Sequence, residues 1–152
     1  MTRGQRLNVK DAGLWMIAIL IILGCITVQQ GYAEQERADC TLATLNGLYV
    51  FDGTGYNIIA SSPQPKAVVE FLDFKGDGTL TSLATISVNG MVKQGIPGAG
   101  SYTVAEDCTG TLTFNPKGPH FDIFIAPNGK EYHMIQTDSN TVLAGVSRRV
   151  SR

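Results

Sequence analysis

From residue 40 onward no stretch of this chain sustains the 3.6-residue period of a helix. Short runs rich in Val, Ile, Phe, Tyr and Thr alternate instead with Gly, Pro, Asn and Asp, which is the pattern of an all-β chain. Eight strands follow: Leu45–Asp52, Ala67–Phe74, Thr79–Val88, Met91–Val104, Thr111–Asn115, His120–Ala126, Glu131–Thr137 and Thr141–Val150. "KGDG" at 75–78, "NG" at 89–90 and "PNG" at 127–129 are hairpin signals, since Gly and Asn tolerate the positive φ of tight turns. "NPKGP" and "DSN" supply longer links. "GIPGAG" at 95–100 marks a bulge or sharp bend within the fourth strand. Consecutive hairpins make an up-and-down antiparallel sheet, and eight such strands can close into a calycin-like barrel without exposed edges. A sandwich of two four-stranded sheets is the competing architecture.

Strand alternation sorts the side chains by face. Val68, Glu70, Leu72 and Phe74 share one side of the second strand, with Val69 and Phe71 on the other; Phe121, Ile123 and Ile125 share one side of the sixth. In up-and-down order Cys40 precedes strand one and Cys108 lies in the connection between strands four and five. Both therefore fall at one end of a barrel, where a bridge can form. Each sits in Asp-Cys-Thr, and the matching contexts read as two strand entries clipped together. The opposite end carries the longest loop, "GTGYNIIASSPQPK" at 53–66, and is where a mouth belongs.

The N-terminus reads as an export signal. Arg3, Arg6 and Lys10 precede the apolar run 13–28, and "GYA" at 31–33 places small residues at a cleavage site before Glu34. The expected organisation is a signal peptide over 1–33, a lead-in over 34–44 and one β-barrel domain over 45–152. The apolar run is at the short end for a spanning helix, which needs about 20 residues. Cleavage after about Ala33 and release to the periplasm or exterior is preferred over an N-terminal membrane anchor, and no stable membrane insertion is expected after cleavage. "ILGC" also resembles a lipobox, which would lipidate Cys25.

Cleavage removes Arg3, Arg6 and Lys10 from twelve basic residues and Asp11 from thirteen acidic ones, leaving 119 residues of net charge −3. That mildly acidic surface has no basic run, so a nucleic-acid partner is disfavoured. Cys40 and Cys108 remain as an even pair in an oxidising compartment, where a disulfide is expected. Neither stands at metal-ligand spacing from a His or a third Cys, so no metal site is expected there. In "DFKGDGT" at 73–79 the carboxylates are too few for a calcium loop, and a hairpin explains the glycines. No phosphate loop, dinucleotide fingerprint or Gly-x-Ser-x-Gly is present, so the sequence implies no cofactor.

The opening "LNGLY", the segment "GSYTVAEDCTGTLTF" at 100–114 and the closing "AGVSRR" resemble small secreted bacterial proteins with a calycin-like barrel, similar in shape to allene oxide cyclase. Gly47-x-Tyr49 is also similar to the Gly-x-Trp that opens lipocalins. That resemblance implies that Tyr49 packs against Arg148 or Arg149 on the last strand.

Three functions follow in order. The first is an exported barrel binding a small, mostly apolar ligand in its lumen, with Glu70, Phe71, Tyr102, Phe121 and Ile123 as contacts and Glu70 or Tyr102 as the polar anchor. The second is a protein-interaction module, such as a hydrolase inhibitor, that uses the loop 53–66. The third, implied by the resemblance to allene oxide cyclase barrels, is an isomerase or cyclase with Glu70 or His133 as base. Glu131 shares a strand face with His133 and could orient it, but a solvated outward pair is the preferred reading of that spacing. Catalysis ranks last, and binding is the preferred reading.

Overall fold

In the computed structural model, residues 39–151 are described; the expected signal peptide, its cleavage site and Cys25 lie outside them. The described chain is an eight-stranded antiparallel barrel closed in sequence order: β1 (Asn46–Ile59), β2 (Ser62–Lys75), β3 (Thr79–Val88), β4 (Met91–Val104), β5 (Thr109–Phe114), β6 (His120–Ile125), β7 (Glu131–Gln136) and β8 (Thr141–Ser151). Closure comes from β1 pairing with β8, from Leu48↔Ser151 to Asn57↔Thr141. The sandwich is thereby set aside. Among the described residues no helix is long and apolar enough to cross a membrane.

Alternation along each strand divides inside from outside. Tyr49, Phe51, Leu72, Phe74, Leu112, Ile123, Tyr132 and Met134 are buried almost completely. The outer face carries Asp52, Thr54, Asp73, Thr81, Thr85, Thr103, Thr111, Asp122, His133 and Arg148. This is the order expected of strands with an apolar lumen and a solvated exterior.

The segment 53–66 is not a loop. β1 and β2 continue through it as a paired hairpin, with Tyr56↔Pro65, Asn57↔Gln64 and Ile58↔Pro63 opposite each other. Ala60 and Ser61 make the turn with φ of 47° and 65°. Two prolines are tolerated on β2 because its pairing with β3 begins only at Lys66↔Val88, so Pro63 and Pro65 face no ladder to donate to, and the Pro65 carbonyl accepts from the Asn89 N–H at 2.8 Å. The bend foreseen near Gly95 is present as a bulge: Gln94 and Gly95 together oppose Thr85, and Gly95 takes φ 62°.

At one end the barrel is sealed. A short 3₁₀ turn (Leu42–Thr44) leads into the fully buried Leu45. The single hydroxyl proton of Tyr102 is shared between the carbonyls of Leu42 (2.9 Å) and Leu45 (3.0 Å). Cys40 and Cys108 are bridged across this end with Cα atoms 5.0 Å apart, at a sequence separation of 68. Only the second Asp-Cys-Thr enters a strand directly, Asp107 accepting from both the backbone N–H and the hydroxyl of Thr109 at the start of β5. The first leads into the 3₁₀ turn. The same Asx device starts β3, where Asp77 accepts from Thr79.

The expected aromatic–arginine contact is made by Arg149. Register decides between the two arginines, because Arg149 lies opposite Tyr49 and Arg148 opposite Val50. Arg149 donates from Nε (2.9 Å) and Nη2 (2.6 Å) to the Tyr49 hydroxyl and from Nη2 to the Thr44 carbonyl (2.9 Å). Tyr49 donates onward to the carbonyl of Gly129. Gly129 has φ 62°, and a Cβ there would meet the Thr44 carbonyl oxygen at 2.2 Å, so both conformation and space require glycine.

Candidate functional site

The end opposite the bridge opens into the lumen. The mouth is framed by the β1–β2 hairpin, the Asn89–Gly90 turn, the Asn115–Pro119 link and the connection from β7 to β8. Behind it lies a cavity of about 240 Å³. Phe51, Val68, Ala84, Phe114, Phe121 and Leu143 give it an apolar wall, and Glu70, Ser82 and Lys66 supply the polar side chains that matter most. Phe51 is held in place by absent side chains: a Cβ at Gly53 or Gly145 would lie 2.4 Å or 2.6 Å from its ring.

Glu70 is 8 % exposed, inside the barrel between Val68 and Leu72 on the lumen face of β2. Burial raises its pKa, and a hydrogen bond with the Ser82 side chain opposes that rise in part. No ion pair among the described residues involves it. Tyr132 and Ser147 stand directly opposite each other on β7 and β8, fully buried. Neither hydroxyl makes a hydrogen bond of full geometry. Burial pushes the Tyr132 phenol well up, with the Ser147 side chain acting weakly against it and the Glu70 charge adding to it.

Lys66 stands at the mouth on the same face of β2 as Glu70. Its ammonium donates to Gln136 Oε1 (3.2 Å), reaching across to β7. Desolvation lowers its pKa, and the charge of Asp138 partly restores it. Gln136 in turn donates to Asp138 (2.8 Å), which also accepts from the His120 backbone (2.9 Å) and contacts its Nδ1 at 2.7 Å. Desolvation alone would raise the Asp138 carboxyl, but these bonds from Gln136 and His120 outweigh it and hold the pKa at about 2.

The residues expected to contact a ligand separate into three places. Glu70 and Phe121 line the cavity. Ile123 is buried in the core and Tyr102 lies at the sealed end, its hydroxyl committed to the Leu42 and Leu45 carbonyls, so neither reaches the cavity wall. Phe71 points outward and is 48 % exposed. Its placement beside Glu70 in a lumen fails on strand parity, because consecutive residues face opposite sides.

The acid–base candidates do not converge on the cavity. Glu131 and His133 are on the outer face of β7, with His133 Nε2 3.6 Å from Glu131 Oε1. Arg148 Nε donates to Glu131 Oε2 at 2.8 Å, which makes the group an exposed surface ion pair rather than a partner of Glu70.

Lys66, Phe51, Val68, Phe114 and Leu143 are among the wall residues not expected from the sequence. Lys66 shares the period-two face of Val68 and Glu70, a signal that becomes visible once β2 is extended toward the hairpin tip. No family model matches the chain, and neither a curated protein nor a solved structure matches it.

Proposed function

We propose that this protein is an exported binding barrel that takes one small, mostly apolar ligand in the open half of its lumen. The observation that carries this reading is the cavity itself: a pocket of about 240 Å³ with an apolar wall and one buried carboxyl, reached through one end of a barrel sealed at the other. Pockets with this balance, predominantly apolar with few polar groups, are the usual form of small-molecule sites. The Cys40–Cys108 disulfide accords with an oxidising compartment, and so supports export.

Native mass spectrometry of the protein recovered from its exported fraction tests the proposal. A non-covalent mass that is released on denaturation, on a chain beginning at Glu34, is the expected result. A bare protein that gains no thermal stability from any member of a lipid and terpenoid panel would count against ligand binding.

A second reading rests on the β1–β2 hairpin, whose free-edged tip exposes Ile59 to 59 % and Tyr56 to 48 %. A protein partner could add to that edge. Recovery of the same partners after deletion of Ser61–Pro65 would remove this reading.

A further inference from the structure

We propose that the ligand taken by the cavity is a protonated amine on a compact apolar body, with its ammonium seated on the Glu70 carboxylate. This rests on the reading of the barrel as a binding protein and names the chemical class of its ligand.

Among the described residues Glu70 is the only acid on the cavity wall and Lys66 the only base. They do not neutralise one another. Four residues apart on one strand face, their Cα atoms are separated by about 13 Å at 3.3 Å per residue, and the Lys66 ammonium is bonded to Gln136 beside Asp138. The cation at the mouth thus has its own partners, and the acid within has no cation among the described residues. An ammonium entering the cavity would supply the missing charge, in a place where charge-assisted hydrogen bonds are strongest.

The wall suits the same ligand. Phe51, directly opposite Glu70 across the β1–β2 ladder, joins Phe114 and Phe121 in lining the cavity. Phenyl faces attract organic cations, most strongly where water is excluded. A neutral ligand gives no use to an ionisable group. An amide or hydroxyl at position 70 would hydrogen-bond a ketone or alcohol and be less costly to bury than a carboxyl. At about 30 Å³ for each water-sized atom, the volume holds on the order of eight heavy atoms, which sets the size of the apolar body.

Titration calorimetry on the full processed protein with its disulfide intact tests this. The probes are cyclooctylamine, cyclooctanol and cyclooctanecarboxylate at pH 7.5, on the wild type and on Glu70→Gln. The amine is expected to bind at least about tenfold more tightly than the alcohol, and the Gln variant to bring the two within about threefold. Equal or tighter binding of the alcohol or the carboxylate by the wild type overturns the amine assignment and leaves the binding barrel standing. So does an amine preference that survives in Glu70→Gln. Failure of all three probes to bind overturns both readings. The wild-type comparison decides the matter without the variant, should the variant not fold.

Discussion

At the bridged end of the barrel Tyr49, Phe74, Tyr102 and Tyr132 fill the lumen ring against ring, with centroids 4.9–5.6 Å apart. At the other end Phe51, Phe114 and Phe121 leave about 240 Å³ between the walls. Most of the same strands build both halves, so the difference lies in what the polar atoms do. In the filled half the Tyr49 and Tyr102 hydroxyls are committed to backbone carbonyls of the sealing turns. In the open half the Glu70 carboxyl has Ser82 and no counter-charge. One half holds the barrel shut, and the other leaves a charge and a volume unfilled.

The sharpest way to break the contrast is to truncate one ring in each half. Phe74→Ala opens a new cavity among three aromatic neighbours and should cost about 4 kcal/mol in urea unfolding. Phe121→Ala enlarges a space that already exists, so its loss should be smaller, about 2 kcal/mol, and should widen the range of ligands accepted. Equal losses would mean that the two halves are packed alike.

Removing the bridge by Cys40→Ser with Cys108→Ser acts on the sealed end through the unfolded chain. A loop of 68 residues makes the expected cost about 4 kcal/mol in the chain-entropy picture, measured by the same unfolding experiment. The cavity lies at the far end, so ligand affinity measured below the unfolding transition should stay within about twofold.

The adjacent arginines give a smaller, paired test. Arg149→Met leaves the Tyr49 hydroxyl and the Thr44 carbonyl without their donor and should destabilise by about 1.5 kcal/mol. Arg148→Met breaks only an exposed ion pair with Glu131 and should change stability by less than about 0.5 kcal/mol.

Glu70 predicts a change of opposite sign. Its folded pKa lies above its unfolded value, so the folded state holds the proton over the window between the two. Its contribution to stability is present below the unfolded pKa and declines as pH rises toward the folded one. Glu70→Gln should therefore raise stability at pH 7.5 and flatten this part of the pH profile. A thermal-unfolding series from pH 4 to 8 on both proteins checks the sign. A variant that is less stable than wild type at pH 7.5 would show that Glu70 already has a cationic partner.

The amino-acid order by itself determined the number of strands, their succession and the end at which the cysteines meet. Hairpin turns written in Gly, Asn and Asp act locally, and a closed meander needs little else. Within β2 it also determined that Val68, Glu70, Leu72 and Phe74 share a face, because the side-chain period of a strand is two. It did not determine which face is inside. That is a property of the closed sheet, and it sent Glu70 inward and Phe71 outward. The extension of β1 and β2 through residues 53–66 was equally hidden. Its turn is made by Ala60 and Ser61, neither a usual left-handed residue, and Pro63 and Pro65 argue against a strand until β3 is seen to end at Val88. The choice of Arg149 over Arg148 depended on the β1–β8 register, and the division of the lumen into a filled and an open half depended on side chains from all around the ring. Local chemistry specifies turns and alternation. Closure decides what faces what, because the residues that meet across a barrel are distant in the chain.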